Sequence, residues 1–96
     1  MSTRQPQLHQ LKCHPEFFQA SKHGLKPWEL RKNDRDYQTG DTVILKQFNP
    51  ASNAYDEKEK DIAFKIIAVF TGKYLLGMIP DDMVILSLES IGELPF

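Results

Sequence analysis

Lys26, Glu29 and Arg31 fall close together in the segment Gly24-Leu25-Lys26-Pro27-Trp28-Glu29-Leu30-Arg31. A guanidinium presents a planar fork of donors that suits phosphate or the acceptor edge of a base, and an ammonium adds a mobile point charge. A carboxylate between them can hold an amino group or orient the guanidinium. Lys12, His14, Lys22, His23, Lys32 and Arg35 stand nearby in sequence and would complete a basic rim of the kind phosphate recognition needs. Trp28, Tyr37 and Phe48 offer rings on which a base could stack. A plainer reading competes: Glu29 and Arg31, two apart on one strand face, can pair with each other or with a neighbouring strand. His9, Cys13 and His14 cluster, but one cysteine without a second ligand pair makes no zinc signature. No P-loop, dinucleotide fingerprint or nucleophile elbow occurs, so neither a metal nor a cofactor is expected.

These side chains need elements to position them. Pro27 has no ladder donor, so a strand starts at Trp28 and runs to Lys32. Its period of two puts Trp28 and Leu30 on one face, expected to meet the core, and Glu29 and Arg31 on the other. Ahead of it, His14-Pro15-Glu16 reads as a helix start, with Phe17, Phe18 and Ala20 turned inward. Lys22 and His23 suit the last turn, and Gly24 can take the left-handed conformation that ends the helix. Residues 7–13 read as a short strand, and residues 1–6 as a loose tail before a single domain over 7–96. Beyond the charged segment, Asn33-Asp34-Arg35-Asp36 and Thr39-Gly40-Asp41 form turns. Strands are expected over Thr42–Phe48, Asp61–Thr71 and Met83–Leu88, separated by a loop over 49–53, a charge run over 56–60 and a loop over 72–82. Ile62, Phe64, Ile66, Ala68 and Phe70 would share one face. Five strands and one early helix give an α+β, mainly β fold: a small mixed sheet or barrel capped by the helix.

Composition narrows the partners. The chain has 96 residues, 41% of them hydrophobic, which fits one domain with a modest core. Twelve Lys and Arg against thirteen Asp and Glu give a formal charge of -1. An extended positive face for tracking a duplex is therefore excluded, and any nucleic-acid contact is local, to a single strand or a nucleotide derivative. One cysteine and an N-terminus without an apolar run point to a cytoplasmic chain, and no segment is apolar enough to span a bilayer.

The run Gly24, Lys26, Glu29, Arg31 resembles the G-x-K-x-x-E-x-R signature of ASCH domains, a branch of the PUA-like superfamily of small β-barrels associated with RNA. The Leu11-Lys12 strand, the Pro15 helix start and the Thr39-Gly40-Asp41 turn into a strand are similar to that pattern. LKCHPEFF and ELRKNDRDYQTGD also resemble a group of small bacterial and phage proteins in this superfamily without an assigned function. The resemblance implies a PUA-like barrel of about five strands and an RNA- or nucleotide-binding cleft between helix and barrel. Lys12, Gly24, Lys26, Glu29, Arg31 and Arg35 would be its binding residues. It also implies an alternative. One similar branch hydrolyses an acylated cytidine nucleoside with a Lys and a Thr of its signature and a Glu from a later strand. Lys26 matches that Lys, but Glu29 stands at the Thr position, leaving Lys26 and Glu29 as the candidate catalytic pair and Asp81, Asp82 or Glu89 as the later carboxylate. A protein-interaction accessory module is the remaining alternative.

Overall fold

A computed structural model describes residues 4–94. The elements in chain order are β1 (Leu8–Cys13), α1 (Pro15–Lys22), β2 (Trp28–Lys32), β3 (Thr42–Asn49), β4 (Ala54–Tyr55), β5 (Ile62–Thr71) and β6 (Met83–Glu93). The expected strands and helix are all present. The two-residue β4 adds to them, and β6 runs well past Leu88.

The strands form one mixed sheet in the order β1-β3-β5-β6-β2, with β4 paired to the end of β3. Only β1 and β3 are parallel; the other pairs are antiparallel. The sheet does not close into a barrel. Its edge strand β1 is instead linked by side chains to β2 and the turn after it: Arg31 Nη2 of β2 donates to the Lys12 carbonyl and Arg35 Nη1 of the turn to the Gln10 carbonyl at 2.9 Å. Two guanidinium groups thus satisfy carbonyls that an open strand edge would leave to water.

Helix α1 plugs the concave side. Phe18 is fully buried among Leu11, Cys13, Val43, Leu45, Ile66 and Leu86. Phe17, expected to pack inward beside it, is half exposed, because adjacent helical residues diverge by about 100° and only one can meet the sheet. Gly24 sits at the helix end with φ +75° and lets the chain turn back, where the Leu25 and Lys26 amides both donate to the Ala20 carbonyl.

On β5 the expected alternation holds only through Ile66. Ile67 is an extra residue in the ladder between Ile66 and Ala68, and such a bulge reverses the parity of the residues after it. Val69 therefore packs against the core and Phe70 faces outward.

The loop after β5 depends on Gly72, which is buried. A Cβ built there would lie 2.0 Å from the Pro80 carbonyl oxygen and 2.9 Å from the Asp81 Cα, both backbone atoms without freedom to swing aside. Gly72→Ala is expected to cost about 1 to 3 kcal/mol, the range for overpacking, measurable by urea denaturation.

Asp41, read from sequence as a turn residue, is fully buried at the start of β3. Its carboxylate accepts from both Nη groups of Arg4 at 2.8 and 3.0 Å, from the Gln7 amide at 2.9 Å and from the Gln38 amide at 3.1 Å. His9 Nε2 lies 2.8 Å from its second oxygen, and the His9 ring packs on Tyr37 at 4.7 Å. Burial alone would raise the carboxyl, but these bonds outweigh it and hold Asp41 well below the usual carboxylate range. Within the expected tail, Arg4 is thus fastened to the domain; residues 1–3 lie outside the described residues.

Candidate functional site

The register of β2 against β6 decides where the charged segment points. Glu29 stands opposite Leu86 and Arg31 opposite Val84, both fully buried, so this row faces the concave side of the sheet. Trp28 and Leu30, opposite Ser87 and Ile85, take the outer row. This reverses the expected placement of Trp28 in the core: it is 44% exposed, while Glu29 is 3% exposed. The alternation was legible, but an edge strand bordering a cleft can carry its charged row inward when each charge finds a partner.

Here each does. Lys26 Nζ donates to Glu29 Oε1 at 2.5 Å and to the Trp28 carbonyl at 2.9 Å, and Arg31 Nε donates to Glu29 Oε2 at 3.0 Å. The Lys26 ammonium also lies 4.8 Å from the Trp28 ring centroid and 5.7 Å from that of Phe17. Rings at these distances attract a cation through their negative faces. Glu29 is the hub that fixes both cations. Their remaining N–H groups, including both on Arg31 Nη1, have no protein partner among the described residues.

The cavity at this position, about 320 Å³, lies between β2, the end of β1 and the first turn of α1. Lys12, Lys26, Glu29 and Arg31 line it, as expected, along with Phe17 and Trp28 as apolar walls. Sequence reasoning missed Cys13, Leu30 and Phe17 here, the last having been expected to pack inward. Burial, then the nearby Glu29 charge, pushes the Cys13 thiol up to about 11, so it stays protonated near neutral pH. Gly24 does not line the cavity; it turns the chain that carries Lys26. Arg35 does not line it either, its guanidinium being engaged by the Gln10 carbonyl. Of the wider rim, His14 contributes as the residue capping α1, stacked on Phe17 at 6.4 Å. Lys22 is instead paired with Glu59 at 3.0 Å, and His23 and Lys32 are exposed elsewhere. Asp81, Asp82 and Glu89 are exposed and absent from the cavity wall. No group of His, Cys, Asp and Glu arranged to hold a metal ion occurs among the described residues. No helix among them is long and apolar enough to cross a membrane.

Residues 8–88 match the family described as a domain of unknown function, DUF3850. The chain belongs to the DUF3850 family. The matched span contains every residue of the cavity wall, so the cleft lies inside the DUF3850 domain. The DUF3850 chain is also similar to an uncharacterized 12.9 kDa protein in the GpA 3′ region of Escherichia phage P2, at 42% identity over 41 residues. That match spans 43% of this chain and 38% of the phage protein.

Proposed function

We propose that this cleft binds a nucleotide or a short stretch of single-stranded RNA, in keeping with the resemblance of Gly24, Lys26, Glu29 and Arg31 to the ASCH signature. The observation that carries the proposal is the pairing of donors on Arg31 and Lys26 that no protein group among the described residues engages with flat apolar walls from Phe17 and Trp28. Because Glu29 already neutralises one positive charge and each of its oxygens is turned to one of the two cations, the groups these cations leave over are donors. They suit an acceptor-rich or anionic group attached to a planar apolar body, which is the makeup of a nucleotide. A volume of about 320 Å³ sits at the small end of ligand sites and fits one such unit.

Hydrolysis of an acylated nucleoside has less support. No hydroxyl side chain among the described residues lines the cavity, the Cys13 thiol is protonated, and a Lys26 ammonium bonded to Glu29 has no lone pair with which to take a proton.

Trp28 gives a clean test, since a half-exposed edge residue can be truncated without emptying the core. Trp28→Ala is expected to change stability by less than about 1 kcal/mol and to weaken binding of a mononucleotide by about 1 to 3 kcal/mol, the range for one stacked base. Arg31→Ala is expected to weaken binding by about 1.5 to 3 kcal/mol for the lost charged hydrogen bonds. Calorimetric titration of nucleoside monophosphates and short single strands measures both. Wild-type protein that binds none of them, or variants that bind as well as wild type, would overturn the proposal.

A further inference from the structure

The outer face of the sheet, next to the cleft, carries a second group of rings and cations. On β1, His9, Leu11 and Cys13 turn into the core, so Lys12 turns outward. Lys46 of β3 stands opposite Lys12, and Tyr55 of β4 stands opposite Phe48, two residues further along β3. The Phe48 and Tyr55 rings meet edge to face at 5.3 Å. Lys12 Nζ lies 4.5 Å from the Phe48 centroid and Lys46 Nζ 5.8 Å from that of Tyr55. Two lysines abreast in a ladder repel each other. Lys46 is relieved by Asp61 at 2.7 Å, but Lys12 has no carboxylate within ion-pair distance among the described residues.

Lys12 also joins this patch to the cleft. Its carbonyl accepts from Arg31 at the cavity wall, while its ammonium reaches the Phe48 ring. We infer that the protein holds two successive nucleotides of a single strand. One base lies against Trp28 and Phe17, the linking phosphate sits between Arg31 and Lys12, and the second base stacks on Tyr55, whose ring Phe48 supports edge to face. Tyr55 is 48% exposed, open enough to receive a base. The inference rests on the nucleotide reading of the cleft and extends it to a second subsite.

Charge sets the length of the footprint. Beyond Tyr55, the neighbouring hollow is lined by Asp56, Glu57, Glu59 and Asp61 against Lys46 and Lys60. A polyanion is repelled there, so the strand leaves the surface after the second base.

The test is a fluorescence-anisotropy and calorimetric titration of a mononucleotide, a dinucleotide and a hexanucleotide of the same base into the full chain. The dinucleotide is expected to bind at least about fivefold tighter than the mononucleotide, the lower limit for one added stacked base, and the hexanucleotide to add little more. Tyr55→Ala is expected to erase the gain while leaving mononucleotide affinity as in wild type, and Tyr55→Phe to restore it. Lys12→Gln is expected to weaken the dinucleotide. Equal affinity for mononucleotide and dinucleotide, a gain that survives Tyr55→Ala, or affinity that keeps climbing to the hexanucleotide would each overturn the second subsite while leaving the cleft reading intact. Failure of all three ligands to bind would overturn the cleft reading itself, and the second subsite with it.

Discussion

Asp41→Ala is expected to lower the stability of the domain by about 3 to 5 kcal/mol, the cost of removing one partner from a buried charge network. Asp41 is fully enclosed, and its two oxygens collect donors from Arg4, Gln7, His9 and Gln38. Without the carboxylate, a guanidinium, an imidazole and two backbone amides are left to face one another, and the Gln7 amide just before β1 loses its acceptor. Asp41→Asn keeps the size of the side chain but places an amide donor among donors, so it is expected to lose most of the same stability. The sign of the pH dependence follows from the lowered pKa of Asp41. A carboxyl held below its unfolded value stabilises the fold fully above that value, about 3.9 for Asp, and loses the contribution as pH falls through and below it. Wild-type protein should therefore weaken steeply below about pH 4, while Asp41→Asn, already lacking the carboxylate, should show a shallower acid limb. Urea midpoints taken from neutral pH down through the acid range would measure both. Parallel acid limbs in the two proteins would mean that other carboxylates govern the transition.

Glu29→Ala is the second large change. Glu29 is the shared acceptor of Lys26 and Arg31, and its removal leaves two cations at the edge of the core without the anion that separates them. Because those partners are partly solvated, the expected loss lies below that of a fully enclosed network, at about 2 to 3 kcal/mol. Nucleotide affinity should fall together with stability, since Lys26 and Arg31 are then free to leave the positions that Glu29 fixes. Glu29→Gln separates the two effects: its amide can accept from one cation only, so the charged cluster is kept at half strength with the shape preserved. A Glu29→Ala protein whose urea midpoint matches wild type would show that the cluster contributes no more than an exposed pair.

Much of the local structure follows from residue chemistry within a few positions. Pro15 and Gly24 bound α1, Pro27 sets the start of β2, and the period of two puts Glu29 and Arg31 together, opposite Trp28 and Leu30. These are properties of the chain itself, because a proline's missing donor, a glycine's positive φ and a strand's pleat act on the nearest neighbours. The candidate cleft was legible to that extent: Lys12, Lys26, Glu29 and Arg31 were named from type and spacing, and they meet at one cavity.

Tertiary structure decided which side of each element is inside. Alternation fixes the relative phase of two rows but not their direction. For β2, the direction comes from pairing with Val84 and Leu86, which lie far along the chain on the last strand. The assumption that the apolar row faces the core fails at Trp28, since Lys26 and Arg31 offset the desolvation of a buried Glu29 and leave the tryptophan to wall a cleft. The bulge at Ile67 likewise turned Phe70 outward through a mismatch between β5 and β6 that neither strand shows alone. Asp41 carries the same lesson, because its role as a buried anchor depends on Arg4, Gln7 and His9 arriving from the N-terminal end of the chain. Burial and charge pairing are sums over neighbours distant in sequence, and the chain specifies those neighbours only once it has folded.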